Sequence, residues 1–171
     1  MDWPSVPARN LDRSELEELV AALASDPERW SAQVGFSGAE RHFVSLFRDD
    51  YVDVWLLCWT DDNDTGWHDH DISSGAVRVV EGALSESCPR IGGKHAVRVI
   101  TAGNTFSFGP DHIHRVAGAR RSSISIHAYS PPLWRLGQYT IEETGVMRRR
   151  SVSYAEELRA YEPDVAAAAA F

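Results

Sequence analysis

Apolar residues near the start of the chain recur at the spacing of an amphipathic helix. The residues that fall on one helical face are Leu16, Leu19, Val20 and Leu23. Ser14 and Glu17 have the spacing of a capping box, which predicts that the helix begins there. Asp26-Pro27 is typical of a second helix start, with aspartate as the cap and proline in the first turn. The part of the chain over 1–40 is therefore predicted to be helical.

From residue 41 the pattern changes to short runs rich in Val, Leu, Phe and Trp. These runs cover residues 41–48, 51–59, 76–80, 83–87, 96–101, 105–108 and 124–128. Turn-forming pairs such as Asp49-Asp50 and Gly103-Asn104 lie between them. Many short strands joined by regular turns are typical of a β-sandwich or barrel. A last helix is predicted over residues 154–161.

The composition fits one soluble domain spanning residues 1–171. The chain has 43% apolar and 25% charged residues, and its length allows a sizeable core. We divide it into the helical part, a barrel core over 41–133, and a C-terminal strand, helix and tail over 134–171. No linker or internal repeat splits it. We expect a monomer.

The charge pattern excludes several classes of partner. The formal net charge is −8 and the pI is near 5.3, so the surface should repel nucleic acid and anionic membranes. The run Arg148-Arg149-Arg150 is interpreted as a solvated surface turn. No apolar run has the length of a membrane span, and no signal peptide is evident, so a cytoplasmic location is expected.

The cysteine pattern predicts neither a disulfide framework nor a cysteine metal site. There are two cysteines, Cys58 and Cys88, which is too few for a framework. Neither forms a short-spaced pair with another cysteine or with a histidine. A reducing compartment is the default for such a chain.

Two of the seven histidines have a spacing that favours metal binding. His68 and His70 are two residues apart, so on a strand both rings point to the same face. Two imidazoles on an inward face can form half of a metal site. Two surface histidines beside acidic residues are an equally good interpretation of this pair alone.

The surrounding residues resemble the two motifs of cupin barrels. His68, His70 and Gly82 fit the HxH and closing glycine of the first motif, and Gly75 occupies the position of its glutamate. Gly103 and His114 fit the opening glycine and the histidine of the second motif, in which the intervening proline and glycine are displaced. His112, two residues before His114, is the alternative third histidine.

A set of three histidines without a carboxylate has a chemical consequence. Three neutral imidazoles leave a divalent metal with its full charge, which favours an anionic substrate donor such as a thiolate. A free thiol has a pKa of about 8.5, and coordination to a cation deprotonates it. A zinc site is an alternative, since three histidines with an open position also suit zinc hydrolases.

Longer segments are similar to the cysteine dioxygenase type I family. They are the CW pair at 58–59, HDH at 68–70, EGALSE at 81–86, HRV at 114–116 and SIHAYSPPL at 125–133. They occur in the order and near the spacing of the family over residues 41–133. The last block has no counterpart common to all cupins, which makes the resemblance specific.

The resemblance implies an all-β cupin fold, a small jelly-roll-type β-barrel with N-terminal helices and a short C-terminal helix. It implies iron(II) held by three histidines, His68, His70 and His114, and a small thiol substrate, with L-cysteine first, oxidised by O2 to a sulfinic acid. It places Tyr129 near the substrate, with His127 and Ser125 behind it as a hydrogen-bonded relay.

Two departures from the family concern the substrate side of the site. Some members carry a cysteine that forms a thioether with the tyrosine, but Gly75 occupies its position here, so that link cannot form. The family holds the substrate carboxylate on the strand before Cys58-Trp59, where alignment puts Val44 or Ser45. Arg41 is the first candidate for this role, with His42 and Arg48 nearby.

Several alternatives remain at this point. The substrate could be another small thiol such as 3-mercaptopropionate, or the chain could be a metal-binding cupin with a ligand-binding role and no catalysis. Asp69 and Asp71 either orient the ligand rings or are solvated loop charges.

Overall fold

The computed structural model of the protein describes residues 5–36, 41–142 and 144–154. One α-helix, α1 (Arg13–Ala24), and two 3-10 helices, Pro27–Arg29 and Ser31–Gln33, precede the strands. The strands are β1 His42–Arg48, β2 Asp53–Trp59, β3 Trp67–Asp69, β4 Ser74–Glu81, β5 Ala83–Cys88, β6 Ala96–Thr101, β7 Thr105–Phe108, β8 Arg115–Gly118, β9 Ser123–Ser130, β10 Arg135–Ile141 and β11 Met147–Ser153. None of the described helices is long and apolar enough to cross a membrane.

The first helix begins two residues earlier than the predicted capping box requires. Asp12 is the N-cap: its carboxylate accepts from the backbone N–H of Glu15, and the Glu15 carboxylate accepts from the backbone N–H of Asp12. The prediction of Ser14 and Glu17 as the capping pair was therefore wrong, because aspartate at the true cap offers a stronger acceptor. Glu17 instead accepts a hydrogen bond from Ser107 on β7.

The strands form three sheets that are not joined into one closed barrel. A five-stranded sheet has the order β1-β2-β9-β4-β7, and two three-stranded sheets have the orders β11-β10-β3 and β6-β5-β8. All pairs within the sheets are antiparallel, and the hairpin predicted at Asp49-Asp50 joins β1 to β2. The predicted all-β architecture with N-terminal helices is confirmed.

The central strands β2 and β9 are buried on both faces. On the outer face, Leu56 and Ile126 belong to the apolar cluster that includes the buried face of α1. The predicted helical face of Leu16, Leu19, Val20 and Leu23 is confirmed, since all four are buried there. On the inner face, Trp55, Leu57 and Trp59 line a second core. Because α1 covers the outer face of the sheet, the inner face is the one that can line a cavity.

The sequence prediction gave no bounds for four strands, β3, β8, β10 and β11; for the last two it expected a single strand somewhere over 134–171. β3 has three residues and β8 has four, which is too short for a visible alternation. An isolated bridge joins β3 to His114, the residue directly before β8, with His68 N–H donating to His114 O at 2.8 Å and His114 N–H donating to His68 O at 3.0 Å. Residues 155–161 of the predicted last helix lie outside the described residues.

The arginine run Arg148–Arg150 is exposed, as predicted, but it belongs to strand β11, so its interpretation as a turn was wrong. Arg149 donates from Nε to Asp69 Oδ2 at 2.8 Å and from Nη2 to Asp69 Oδ1 at 2.9 Å. Asp69 also accepts from the Tyr139 hydroxyl and from the Gly137 backbone N–H. The strand pattern failed to show this because β3 and β11, which flank β10 in the sheet, lie far apart in the chain.

Asp69 neither contacts the ligand rings nor is solvated, so neither interpretation offered by the sequence holds. Its side chain is 8% exposed and joins β3 to the C-terminal hairpin of β10 and β11. Burial alone would raise the pKa of Asp69, but hydrogen bonds from Arg149, Tyr139 and the backbone hold it well below its usual range.

We expect Arg149→Ala to lower the free energy of unfolding by about 1–3 kcal/mol, since a charged hydrogen-bonding partner of a buried carboxylate is removed. A depressed carboxyl pKa contributes stability above the pKa of the unfolded chain and loses it as the pH falls. The loss should therefore be full at pH 7 and shrink below about pH 4. Urea unfolding at both pH values measures it.

The matched control is Arg148→Ala, on the same strand. Arg148 is 74% exposed and pairs with Glu142 at the surface, so its loss should change stability by no more than about 0.5 kcal/mol. Equal effects of the two substitutions would contradict an anchoring role for Arg149.

Candidate metal centre

Three buried imidazoles meet inside the molecule. His68, His70 and His114 are each no more than 2% exposed, and one ring nitrogen of each lies within 4.8 Å of the others. Their ring centroids are 4.6 Å (His68–His114), 4.8 Å (His68–His70) and 5.2 Å (His70–His114) apart. His68 and His70, which were predicted to share a face, therefore do so. His114 meets them through the backbone bridge that it forms with His68.

Hydrogen bonds fix which nitrogen of two of these rings is free to bind a metal. His68 Nδ1 lies 3.1 Å from the Gly66 carbonyl oxygen, and His114 Nδ1 lies 2.8 Å from Glu86 Oε1. A carbonyl and a carboxylate can only accept, so both Nδ1 atoms carry the proton and both Nε2 atoms present a lone pair. His114 Nε2 is buried and has no hydrogen-bond partner in the described part of the chain.

Burial favours the neutral ring that a metal requires. Desolvation lowers the pKa of His114 well below its ordinary value, against the opposing hydrogen bond to Glu86. A buried lone pair without a partner costs free energy unless something occupies it. The residues therefore fit a divalent transition metal, which prefers neutral imidazole and would occupy the shared space.

Glu86 is a site residue that the sequence analysis missed. Its side chain is fully buried, and it accepts from His114, from His112 at 3.0 Å and from Arg98 at 2.5 Å. Burial opposes its ionisation, but these hydrogen bonds hold the pKa of Glu86 well below its usual range. The available signal was the alternation along β5. Glu86 is two residues after Leu84 and so shares its buried face, where a charged side chain needs a partner.

The alternative third histidine, His112, lies outside the trio. Its Nε2 faces Glu86 Oε1 at 3.0 Å and Cys88 Sγ at 3.7 Å, and its ring centroid is 5.0 Å from that of His114. Among the two histidines left open by the sequence, His114 is the one that reaches His68 and His70.

The side chains at alternate positions of β9 form a chain of hydrogen bonds beside the imidazoles. Trp59 Nε1–H donates to Ser125 Oγ at 2.8 Å, Ser125 Oγ lies 2.8 Å from His127 Nε2, and His127 Nδ1 lies 3.1 Å from the Tyr129 hydroxyl. With Ser125 donating to His127 Nε2, His127 donates from Nδ1 to Tyr129. The Tyr129 proton is then directed away from the relay.

Tyr129 and the three imidazoles line one small cavity of about 10 Å³. Its remaining walls are Trp59, Thr65, Val77, Phe108, Val116 and His127. A cavity of this volume holds about one water-sized group. The space beside the imidazoles therefore fits an ion or one small group, and no carboxylate is among its described lining residues.

Comparison with known proteins assigns this arrangement to a family. A model of cysteine dioxygenase type I matches residues 6–141, which is well over half of the chain. The chain belongs to the cysteine dioxygenase type I family. No curated protein matches it.

Solved structures show the same fold at low sequence identity. An uncharacterised double-stranded β-helix protein of Klebsiella pneumoniae is 13% identical, with TM-score 0.51, covering 70% of this chain and 91% of its own. A cupin superfamily protein of Desulfitobacterium hafniense is 10% identical, with TM-score 0.51, covering 60% and 87%. These likenesses establish the cupin fold expected from the sequence, and the fold alone.

Gly75 takes the place of the family's crosslinking cysteine and leaves room for an aromatic ring. It pairs with Tyr129 across the β4–β9 ladder. A Cβ at this position would lie 2.5 Å from two ring carbons of Phe108 and 3.1 Å from Tyr129. This cysteine dioxygenase family member therefore holds Tyr129 by packing and hydrogen bonding, without a covalent bond.

Arg41 is the candidate arginine that lies against the cavity wall. It is 2% exposed, and its guanidinium carbon lies 4.5 Å from the ring centroid of Trp59. Of the other candidates, Arg48 pairs with buried Asp53 at 2.5 Å, and His42 Nε2 lies 2.9 Å from the Gln33 carbonyl oxygen. A register shift after Ser45 adds a residue to β1, which brings Arg41 opposite Trp59.

We expect Glu86→Gln to weaken iron(II) binding by about 10- to 100-fold, because the carboxylate that orients a ligating imidazole is lost. Titration of the metal-free protein with iron(II) under anaerobic conditions measures the affinity. Glu81→Gln, at an exposed position on β4, is the matched control and should bind like the wild type. Unchanged affinity in Glu86→Gln would show that Glu86 serves only packing.

Proposed function

We propose that the chain is an iron(II)-dependent thiol dioxygenase that converts L-cysteine to cysteine sulfinic acid. The observation that carries this proposal is the cavity shared by three buried imidazoles and Tyr129. In the overall reaction both atoms of O2 end on sulfur, R–SH + O2 → R–SO2H, so atoms and electrons balance without another reductant. Membership of the family supports the reaction class.

His68 and His114 would hold the metal through Nε2, because Nδ1 of each ring is hydrogen-bonded. His70 would hold it through one of its two ring nitrogens. Iron(II), when bound, supplies open coordination positions for the thiolate and the redox chemistry that activates dioxygen. The three neutral ligands leave its charge uncompensated, which supports deprotonation of the thiol. Glu86 keeps the proton on His114 Nδ1, so that its Nε2 remains a donor to the metal.

Tyr129 would act as the polar group that meets the reacting atoms. Its hydroxyl is the end of the relay from Trp59 through Ser125 and His127, so its position is fixed before substrate enters. A hydroxyl directed into the cavity can donate to developing negative charge on oxygen or sulfur. Phe108 and the valines of the wall keep bulk water away from it.

Arg41 would hold the substrate carboxylate. Its guanidinium lies over Trp59, whose ring is one wall of the cavity that the three imidazoles also line, which supports Arg41 as the nearest candidate anchor for a carboxylate. A planar guanidinium matches a carboxylate by two parallel hydrogen bonds. The same anchor accepts 3-mercaptopropionate, which is the alternative substrate.

The relay separates this proposal from the two other functions that three histidines allow. A zinc hydrolase and a non-catalytic binding module each need the metal ligands, but neither needs a buried tyrosine fixed by two successive hydrogen bonds from the neighbouring strand positions. Buried polar networks of this kind cost stability unless every member is satisfied.

The test of the proposed function is iron content with oxygen consumption. Protein loaded with iron(II) should hold about one iron per chain and consume oxygen with cysteine, yielding the sulfinic acid by mass spectrometry. His114→Ala should lose both the iron and the oxygen consumption. His112→Ala, two positions earlier, is the control and should keep them.

Two outcomes would contradict the proposal. Wild-type protein that retains zinc and consumes no oxygen with any thiol, iron-loaded or not, would exclude a dioxygenase. Iron lost in His112→Ala but kept in His114→Ala would transfer the third ligand to His112.

The carboxylate anchor is tested with three thiols. Wild-type enzyme should prefer cysteine and 3-mercaptopropionate over cysteamine, which lacks the carboxylate. Arg41→Ala should lower kcat/KM for cysteine by about 100-fold while leaving that for cysteamine unchanged, because a charged site rejects an analogue that leaves its charge unpaired. Arg78→Ala, on β4 and bonded to Thr105, is the control arginine. Equal rates on cysteine and cysteamine in the wild type would refute a carboxylate anchor.

A further inference from the structure

A second group of metal-ligating side chains lies beside the three histidines. Glu86 and Cys88 are two residues apart on β5, so their side chains share one face of the strand. His112 reaches them from the turn between β7 and β8. The donor atoms of these three residues all lie within 4.8 Å of one another. Cys88 is a free thiol.

Two of the three donor–donor distances are close to the edges of a coordination tetrahedron. Cys88 Sγ and His112 Nε2 are 3.7 Å apart, and His112 Nε2 and Glu86 Oε1 are 3.0 Å apart. With zinc bond lengths of about 2.0–2.3 Å, two ligands of one tetrahedral ion lie about 3.3–3.6 Å from each other. These two pairs therefore differ from tetrahedral edges by a few tenths of an ångström, and the donors of Cys88 and Glu86 lie within 4.8 Å of each other.

We propose that Glu86, Cys88 and His112 form a second cation site, selective for a borderline-soft divalent ion such as zinc. Thiolate, imidazole and carboxylate are the three donor types that zinc prefers. His112 is 32% exposed and Cys88 is half-buried, so solvent can deliver the ion and supply the fourth ligand. The two anionic donors offset the charge of the ion.

The existing partners of Glu86 are compatible with the site. Arg98 occupies Oε2, at 2.5 Å from both its Nε and its Nη2, and leaves Oε1 to the two histidines. An oxygen has two lone-pair directions, so Oε1 can accept from His114 and bind the ion while His112 turns from hydrogen bonding to coordination. Glu86 then connects the two sites, and Cys88 and His112 belong to the second site alone.

Cobalt(II) distinguishes the two sites, because a thiolate ligand gives a charge-transfer absorption that imidazoles do not. The experiment titrates the metal-free full-length chain with cobalt(II), in a phosphine reductant so that no added thiol can bind. Wild-type protein should bind two equivalents and develop the thiolate band with one of them. Zinc should displace the cobalt that carries the band.

Four variants assign the signals. Cys88→Ser should remove the band and weaken one equivalent by about 10-fold or more while keeping the other. His112→Asn should do the same. Cys58→Ser, the control for the buried cysteine, and His68→Ala, which removes a ligand of the first site, should both keep the band. Thermal unfolding of each variant verifies that it is folded.

Binding of a single equivalent by wild-type protein would overturn the second site. So would a thiolate band that persists in Cys88→Ser or disappears in Cys58→Ser, or two equivalents without any such band. None of these readouts depends on oxygen consumption. Failure of the second site therefore leaves the proposed dioxygenase untouched, and an inactive enzyme leaves the cation titration valid.

Discussion

The reciprocal backbone hydrogen bonds between His68 and His114 are the constraint on which the site depends. They join strand β3 to the residue directly before β8, and these two short strands belong to different sheets. A register error of one residue would turn each ring to the opposite face. Once this bridge is in place, the spacing of two between His68 and His70 brings the third ring into the same space.

Two buried carboxylates support this bridge from either side. Asp69 lies between the first two ligands and is paired with Arg149, while Glu86 holds the ring of His114 and is paired with Arg98. Neither charge enters the cavity, and each is neutralised by an arginine nearer the surface. Nε2 of His68 and of His114 can therefore keep its lone pair. This holds although Asp69 and Glu86, the buried carboxylates nearby, are negatively charged.

The sequence predicted what depends on local pattern and missed what depends on pairing across the chain. The helical face of α1, the hairpin at residues 49–50 and the alternation along β9 were visible, and so were His68 and His70. Glu86 and Arg149 were missed because their roles arise from partners on strands that only the folded sheets bring together. Resemblance to the family supplied His114, but it covered residues 41–133, and the matching family model ends at residue 141, also before β11.

The cavity wall shows how the chain positions Tyr129 without the covalent link that the resemblance implies for some family members. Glycine at position 75 admits the Phe108 ring, whose centroid lies 4.6 Å from that of His70 and 4.7 Å from that of His114. A cysteine at position 75 would collide with the Phe108 ring, so a cysteine side chain and this ring cannot both occupy the space. Phe108 packs against His70 and His114. The chain of hydrogen bonds from Trp59 positions the Tyr129 hydroxyl. Restoring cysteine at position 75 therefore requires a smaller residue at 108 as well.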